Sequence, residues 1–244
     1  MIGVVRHGER EDDLPRNRKT MSEVYFDPAL SSVGENQSQA TGKYIAEYLR
    51  RRGLDESFCR IRIISSPFLR TLQTASIIAD ELKCKKVEIW DPLCEELKED
   101  LFKSFPIPHL NFYIHDTKIL HEKFLKNKIT KFVKIDDPEE ILKPINFPEK
   151  ERKNHFISSS SRAKLALEYL LHNSFSTDDD TSNLVPTQVV ILVTHAFYLE
   201  PFVQFFSPEV THCKDRNYCS IAFAKRCNNS WKLIENCSSD HLLH

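Results

Sequence analysis

Residues 187–196 read TQVVILVTHA, the most continuous strand pattern in the chain. The apolar run VVILV is bounded by polar residues, a pattern that predicts a short β-strand. The run ends in Thr194 and His195. In open α/β sheets, ligands bind in the crevice beyond the carboxyl ends of the strands. The stretch therefore predicts a strand with a polar end that faces a ligand.

The same alternation of strand and helix recurs towards the N-terminus. Short apolar runs at residues 2–5 (IGVV), 61–66 (IRIISS) and 85–90 (KKVEIW) predict three further strands. Helical spacing of apolar residues follows at 34–53 and at 67–83. Strands that alternate with helices predict a three-layer α/β/α fold with a mostly parallel central sheet.

The alternation is lost from Lys98 to Ser161, where prolines recur and lysines are abundant. We interpret 98–161 as an irregular insertion that covers the active-site side or an edge of the sheet. Regularity returns at 160–174 (SSRAKLALEYLLHNS), a predicted helix capped by Ser160 or Ser161. Two later strand patterns flank Asn228–Asn229 and predict a hairpin.

Composition limits the classes of function. The 244 residues are 41% hydrophobic and 28% charged with a net charge of -1, which is ordinary for a single globular domain spanning 1–244. That balance offers nucleic acid no overall basic attraction. The seven cysteines lack CxxC spacing, and no segment reaches the roughly 18 consecutive apolar residues of a membrane span. We expect a cytoplasmic protein with reduced thiols that does not bind nucleic acid and has no membrane span.

Polar groups follow three of the predicted strands. The first strand ends in Arg6 and His7, the second leads into Arg70, and the late strand ends in His195. If these strands are parallel neighbours, two arginines and two histidines meet in one pocket. Guanidinium groups donate to phosphate oxygens, and Gly8 lets the backbone approach a ligand. The residues predict a phosphoryl site in which a histidine either donates a hydrogen bond or attacks phosphorus.

Four motifs occur in order: VVRHGER at 4–10, LSSVGENQ at 30–37, SSPFLRTLQTA at 65–75 and VTHA at 193–196. Together they resemble the histidine phosphatase superfamily, which includes cofactor-dependent phosphoglycerate mutases and many phosphatases. The resemblance implies a phosphoglycerate mutase-like fold. Arg10 makes the opening most similar to the eukaryotic branch of suppressor-of-T-cell-receptor-signalling tyrosine phosphatases.

The resemblance implies a role for each matching residue. His7 is the implied phosphorylated nucleophile, and Arg6, Arg70 and His195 are implied to bind the transferring phosphoryl group. Arg10 would extend the pocket towards the substrate. Because arginines and histidines stabilise the charge in this scheme, we expect no metal and no cofactor. The resemblance also allows a homodimer.

A general acid should lie opposite His7, because a leaving alcohol departs more easily when it is protonated. Similar superfamily members carry this acid after the third strand, where residues 91–100 read DPLCEELKED. The pattern leucine, any residue, glutamate selects Glu95, and Glu96 is the alternative. We expect the arginines to lower the pKa of His7, and partial burial to raise the pKa of Glu95.

The sequence constrains the substrate least. Mutases of this superfamily carry a stretch rich in glutamate and arginine after the third strand, and EELKEDLFKSF at 95–105 does not reproduce it. We therefore expect hydrolysis of a phosphomonoester, in a small molecule or a phosphoprotein, through a phosphohistidine. Phosphotyrosine protein is one candidate substrate. The alternatives are a sugar-phosphate or bisphosphate phosphatase, a mutase, or a phosphate-binding interaction module without catalysis.

Overall fold

One sheet organises the part of the chain that the structure, a computed structural model, describes. The described residues are 1–13, 27–54, 59–95, 131–135, 159–175, 187–228 and 230–243. The strands are β1 (Ile2–Arg6), β2 (Cys59–Ser65), β3 (Lys86–Ile89), β4 (Lys131–Lys134), β5 (Thr187–Thr194), β6 (Ile221–Cys227) and β7 (Ser230–Ser238). Within these residues they form a seven-stranded sheet in the order β4-β3-β2-β5-β1-β6-β7.

Strand β5 lies in the middle of this sheet. It pairs in parallel with β1 on one side and with β2 on the other, while β6 and β7 add an antiparallel edge. Arg6 is level with Thr194, and Ser65 is level with Val193. The mostly parallel sheet is confirmed, and the carboxyl ends of β1, β2 and β5 lie side by side.

In the described ranges, four α-helices cover the two faces of the sheet. They are α1 (Ser32–Arg50), α2 (Leu69–Glu81), α3 (Ser159–Phe175) and α4 (Ala196–Phe206). Helices α1 and α2 pack on one face, and α3 and α4 pack on the other. The side chains of β5 alternate between these two cores. Each fully buried aliphatic side chain contributes roughly 1.5–3 kcal/mol, so the central strand is anchored from both sides.

Two local predictions are wrong. Helix α3 begins at Ser159, so Ser160 and Ser161 lie inside it and do not cap it. Residues 131–134 lie in the stretch interpreted as irregular, yet they form β4, which pairs in parallel with β3. Phe132 is buried and Lys131 is exposed, as in an edge strand with one covered face. Lysines at both ends gave this short strand the composition of a loop.

The remainder of the 98–161 stretch lies outside the described residues, apart from the start of α3. The hairpin prediction is confirmed, because β6 and β7 are antiparallel and Asn228 adopts a positive φ of 54°. Among the described helices, none combines the length and the apolar character that crossing a bilayer requires.

Candidate active site

The carboxyl edge of the sheet gathers the predicted site residues. The backbone N–H of His7 donates to the carbonyl of Thr194 (3.0 Å), and the N–H of Ser66 donates to the carbonyl of Val193 (2.9 Å). These bonds fix the ends of β1 and β2 against β5. Arg70 follows in the first turn of α2. The geometry brings together Arg6, His7, Arg70 and His195, while the role of each residue stays a prediction.

His7 is buried, and its two ring nitrogens have different partners. Nδ1 lies 2.8 Å from the carbonyl oxygen of Gly8. Because a carbonyl only accepts, Nδ1 carries the proton of the neutral ring and Nε2 keeps its lone pair. Burial first, and then the charges of Arg70, His195 and Arg6, hold the pKa of His7 well below its usual range. The lowered pKa is confirmed, and Nε2 is unprotonated at neutral pH.

Arg70 lies close to four other side chains of the site. Its Nε donates to Nε2 of His7 (3.3 Å), and its Nη2 lies 3.1 Å from Oε2 of Glu95 and 3.2 Å from Nδ1 of His195. Its Nη1 lies 3.5 Å from Oδ1 of Asp27. A buried guanidinium with these neighbours holds a fixed orientation, with a positive charge next to Nε2 of His7.

His195 is fully buried at the end of β5. Its Nε2 lies 2.8 Å from the hydroxyl of Ser66, and its Nδ1 lies 3.1 Å from Oε2 of Glu95. Burial lowers the pKa of His195 to about 4 although the Glu95 carboxylate opposes it, so the ring is neutral at pH 7. The hydroxyl of Ser66 can donate or accept, so it accommodates either tautomer. Sequence reasoning missed Ser66, although it lies within the SSPFLRTLQTA motif.

Glu95 lies in the site, and Glu96 lies outside the described residues. Burial by itself would raise the pKa of the Glu95 carboxyl. The His195 ring and the Arg70 guanidinium outweigh burial and hold this pKa well below its usual range. The prediction of a raised pKa is therefore wrong for the arrangement in the structure, because it counted burial and did not count the buried cation beside the carboxylate.

Arg162, on α3, fixes the segment that carries Glu95. Its Nη1 donates to the carbonyls of Pro92 (3.1 Å) and Cys94 (2.9 Å), and its Nη2 donates to the carbonyl of Glu95 (3.1 Å). The hydroxyl of Thr194 donates to a further carbonyl of this segment (2.8 Å). Sequence reasoning missed Arg162, because one arginine at the start of an apolar helix gives no sign of its partners.

Arg6 lies between two residues of the loop that precedes β6. Its Nη1 donates to the carbonyl of Arg216 (2.6 Å), and its guanidinium carbon lies 4.0 Å from the centre of the Tyr218 ring. The same ring centre is 5.6 Å from that of His7. Buried Nε of Arg6 and buried Nη1 of Arg70 have no hydrogen-bond partner among the described residues. Buried donors are normally paired, so both groups can donate to a bound anion, with Asp27 as the ion-pair partner of Nη1 of Arg70.

Arg10 lies beside the site, but its guanidinium is paired with a carboxylate. Its Nε and Nη2 form a forked pair with the carboxylate of Asp12, at 2.8 and 2.5 Å. Its charge still lowers the pKa of both Arg6 and Arg70, although burial is the larger cause in each case. The structure therefore brings Arg10 near the pocket but pairs its guanidinium with Asp12, and its contact with substrate stays a prediction.

The LSSVGENQ motif at the start of α1 packs against the segment that follows His7. Ser31 caps α1 by accepting from the N–H of Gly34 (3.0 Å) and donates to Oε1 of Glu9 (2.7 Å). A Cβ on Gly8 would lie 2.4 Å from the carbonyl oxygen of Gly34. Glycine is thus required here by the close approach to the start of α1, and its approach to a ligand stays a prediction.

A metal ion is one group that these residues could hold. Ligand atoms of His7, Glu95 and His195 lie within 4.8 Å of one another, and two imidazoles with a carboxylate form a set that Zn²⁺ accepts. In the structure Arg70 lies beside these same groups. A cation would have to displace that guanidinium. The arrangement as it stands suits an anion.

The chain is similar to known proteins over part of its sequence and in its fold. Residues 2–99 match the model of the histidine phosphatase superfamily (branch 1). The probable phosphoglycerate mutase GpmB of Proteus mirabilis is 33% identical over 110 residues, which cover 45% of this chain and 44% of that relative. The matched part thus spans less than half the length of the relative.

Solved structures with a similar fold include a mutase and a phosphatase. A phosphoglycerate mutase from Bacillus anthracis has a TM-score of 0.54 at 14% identity, covering 99% of this chain and 94% of the other. A mutant phosphoserine phosphatase from Entamoeba histolytica, in complex with phosphoserine, has a TM-score of 0.51 at 17% identity, covering 99% and 98%. At these identities the likeness shows the fold alone.

Proposed function

We propose that this chain, whose sequence match and fold support assignment to the histidine phosphatase superfamily, hydrolyses phosphomonoesters through a covalent phosphohistidine at His7. One observation carries the proposal. Nε2 of buried, neutral His7 keeps its lone pair and lies 3.3 Å from the guanidinium of Arg70. A nucleophile beside a buried arginine suits attack on a phosphoryl group, because the cation both binds the anion and keeps the nucleophile unprotonated.

Substrate binding uses the two arginines. Nε of Arg6 and Nη1 of Arg70, which make no hydrogen bond to the described residues, donate to phosphoryl oxygens. The positive charge of these residues then stabilises the negative charge that is spread over the equatorial oxygens in the transition state. Since this stabilisation needs no metal ion, we propose that the reaction is metal-independent.

The first chemical step transfers the phosphoryl group to the protein. Nε2 of His7 forms a bond to phosphorus while the ester P–O bond breaks, and the proton on Nδ1 stays hydrogen-bonded to Gly8. The leaving oxygen takes a proton from the carboxyl of Glu95. An alcohol or phenol departs, and Glu95 is left as a carboxylate.

Glu95 must be protonated for this step. In the structure Arg70 and His195 hold its pKa below the usual range. A bound phosphoryl dianion brings negative charge close to Glu95 and competes for the hydrogen bonds of Arg70. Both effects raise the pKa of the carboxyl, so substrate binding itself prepares the acid.

The second step releases phosphate. Glu95, now a carboxylate, takes a proton from a water molecule as the water attacks phosphorus. The bond between phosphorus and Nε2 breaks, and His7 recovers its lone pair. The cycle consumes one water and yields inorganic phosphate, with Glu95 protonated again.

The acidic turn at the rim favours a substrate with a single phosphate. Residues Glu11–Asp13 form a short 3-10 helix beside the site, where Asp12 pairs with Arg10 and Asp13 accepts from the hydroxyl of Tyr218. Carboxylates here repel a second phosphate. Our finer proposal, a phosphoaryl substrate such as phosphotyrosine in a protein, rests on the resemblance of the motif with Arg10 to the tyrosine phosphatase branch.

Hydrolysis of p-nitrophenyl phosphate in excess chelator tests the proposal. Native protein should turn over, and His7→Ala should not, while the exposed control His212→Ala keeps native activity. With a substrate that carries radiolabelled phosphate, rapid quenching in alkali should trap protein-bound label that is stable in alkali and labile in acid, as expected for phosphohistidine. Turnover that survives in His7→Ala would exclude the mechanism.

Three substrates separate the related activities. A phosphotyrosine peptide should be hydrolysed with a higher kcat/KM than a sugar bisphosphate. Phosphoglycerate mutase activity, the activity named for the Proteus relative, should be absent. The reverse order of preference would favour a sugar-phosphate phosphatase or a mutase. Phosphate binding without turnover of any of the three would favour a silent interaction module.

A further inference from the structure

Tyr218 contacts the proposed phosphoryl site without being one of its predicted residues. The residue lies in the loop between α4 and β6 and is partly buried. The guanidinium carbon of Arg6 lies 4.0 Å from its ring centre, well within the distance at which a cation is attracted to an aromatic face. The ring also flanks His7, at 5.6 Å between centres. One aromatic ring therefore borders both the phosphate ligand Arg6 and the nucleophile.

The loop that carries Tyr218 is tied to β1. The N–H of Cys219 donates to the carbonyl of His7 (3.2 Å), and the N–H of Arg6 donates to the carbonyl of Ser220 (3.0 Å). The phenolic hydroxyl of Tyr218 donates to the carboxylate of Asp13. The ring is thus fixed at its backbone and at its tip, and its face cannot turn away from Arg6 without breaking these bonds.

Arg6 is therefore held on two sides by one loop. Tyr218 lies against the flat face of the guanidinium, and the carbonyl of Arg216 accepts from Nη1. The Nε of Arg6 is buried and has no hydrogen-bond partner in the part of the chain that the structure describes. An arginine loses much side-chain entropy when it is ordered, so an arginine that is ordered in advance binds its ligand at lower cost.

We propose that Tyr218 is a positioning residue that holds Arg6 ready to bind the phosphoryl group. This inference rests on the proposed phosphatase function and adds to it a residue that acts through Arg6. The contribution comes from the aromatic face, whereas the hydroxyl serves to fix the ring through Asp13.

The protonation state of the Tyr218 hydroxyl agrees with a role in fixing the ring. Burial, and next the hydrogen bond to Asp13, raise the pKa of Tyr218 to about 12 although Arg6 opposes the shift. The phenol stays protonated at neutral pH and directs its proton to Asp13. It is therefore not a second proton donor to the leaving group, and Phe at this position should keep most of the function.

The test combines phosphate binding with turnover. Binding of inorganic orthophosphate is measured by calorimetry, kcat and KM are measured with p-nitrophenyl phosphate, and thermal unfolding reports the fold. Tyr218→Leu should weaken orthophosphate binding and raise KM by roughly 3- to 30-fold, the range expected for loss of a cation–π contact. Tyr218→Phe should stay within about 2-fold of native, because the ring remains. Asp13→Asn weakens the hydrogen bond that Tyr218→Phe removes, so it should likewise stay within about 2-fold of native.

A double-mutant cycle separates positioning from a merely structural effect. In an Arg6→Gln background, Tyr218→Leu should cause no further loss of orthophosphate binding. Tyr44→Leu is the matched control, because Tyr44 is also partly buried and also donates to a carboxylate, that of Glu235 (2.9 Å). Tyr44→Leu should leave orthophosphate binding and KM at their native values.

Two outcomes would overturn the inference. One is an equal loss from Tyr218→Leu with and without Arg6, and the other is native binding in a well-folded Tyr218→Leu protein. If Tyr218→Leu does not fold, a large loss in Tyr218→Phe would overturn it. A native chain that binds orthophosphate with this coupling but hydrolyses no ester would reject the phosphatase proposal alone. A native chain that does not bind orthophosphate would reject both.

Discussion

Oε2 of Glu95 lies 3.1 Å from Nδ1 of His195, and Nη2 of Arg70 lies about as close to both atoms. A carboxylate, an imidazole and a guanidinium thus share one buried corner of the site. In the proposed mechanism Glu95 is a carboxylate in the free protein. A bound phosphoryl dianion would raise its pKa, so we expect Glu95 to act as an acid only in the complex with substrate.

Glu95→Gln tests the proton donor. Glutamine keeps the size of the side chain but supplies no acidic proton, so hydrolysis of alkyl phosphates should fall by roughly 10²- to 10⁴-fold. p-Nitrophenol leaves without protonation, so the loss on p-nitrophenyl phosphate should be much smaller. The measurement is kcat/KM on both substrates. An equal loss on the two substrates would reject Glu95 as the general acid.

Arg162→Lys tests whether the Glu95 segment needs its guanidinium anchor. Lysine keeps the charge but cannot reproduce the forked bonds to Pro92, Cys94 and Glu95, so carbonyls are left unpaired. The free energy of unfolding in urea should fall by about 1.5–3 kcal/mol, the value of a hydrogen bond to a charged group. Activity should fall more on alkyl than on aryl phosphates, because Glu95 loses its position.

Arg226→Lys is the control for Arg162→Lys. Arg226 also donates to a main-chain carbonyl, that of Phe175 (3.0 Å), but it is exposed and distant in sequence from the site motifs. The change should leave kcat unaltered on both substrates. If Arg162→Lys also loses stability without any difference between alkyl and aryl substrates, Arg162 supports the fold and does not position the acid.

The strand-end residues could be predicted from sequence because their positions follow from local patterns. An apolar run sets the end of each strand, and the parallel order of β1, β5 and β2 then brings Arg6, His7 and His195 together. Sequence spacing could not predict hydrogen bonds between residues that are far apart in the chain. Arg162 and Glu95 are 67 positions apart, and Arg6 and Arg216 are 210 positions apart.

The sign of the Glu95 shift could not be predicted for a related reason. Partial burial after the third strand follows from the pattern and raises the pKa of a carboxyl. The opposing contacts with His195 and Arg70 depend on side-chain placement within a few ångströms. Composition also concealed β4, because lysines at both of its ends resemble a loop, although Phe132 between them packs into the core.

Acid should destabilise the fold through His195. Its pKa is near 6.5 when the chain is unfolded and about 4 in the fold, because burial disfavours the charged ring. Between these values the unfolded chain binds more protons, so stability is lost as the pH falls from 6.5 towards 4. The shift corresponds to about 3 kcal/mol. Glu95, whose pKa is also lowered, contributes stability that disappears at still lower pH.

Urea unfolding at pH 7 and at pH 4.5 measures this effect. His195→Asn should lose less stability between the two values than the native chain does, because the buried titrating ring is gone. His212→Asn, at a side chain that is 80% exposed, should lose as much as the native chain. The same pH dependence in His195→Asn as in the native chain would contradict the assignment.

Gly34→Ala tests the contact between α1 and the loop that follows His7. Helix propensity alone favours alanine over glycine by up to about 1 kcal/mol. A Cβ at Gly34, however, would lie 2.2 Å from the carbonyl oxygen of Glu9, and backbone cannot move aside without shifting the nucleophile. The variant should therefore lose roughly 1–3 kcal/mol of unfolding free energy, and kcat should fall with it.

Gly53 provides the comparison for Gly34. It ends the turn after α1 with a φ of +65°, and a Cβ there would meet nothing within 4 Å. Gly53→Asn should cost little, because asparagine tolerates this conformation, and kcat should stay native. Urea unfolding and turnover of p-nitrophenyl phosphate measure both variants. The contrary result is a Gly34→Ala protein that is more stable than native with unchanged kcat. That result would mean that the loop after His7 can move away from α1, and that this contact does not fix the nucleophile.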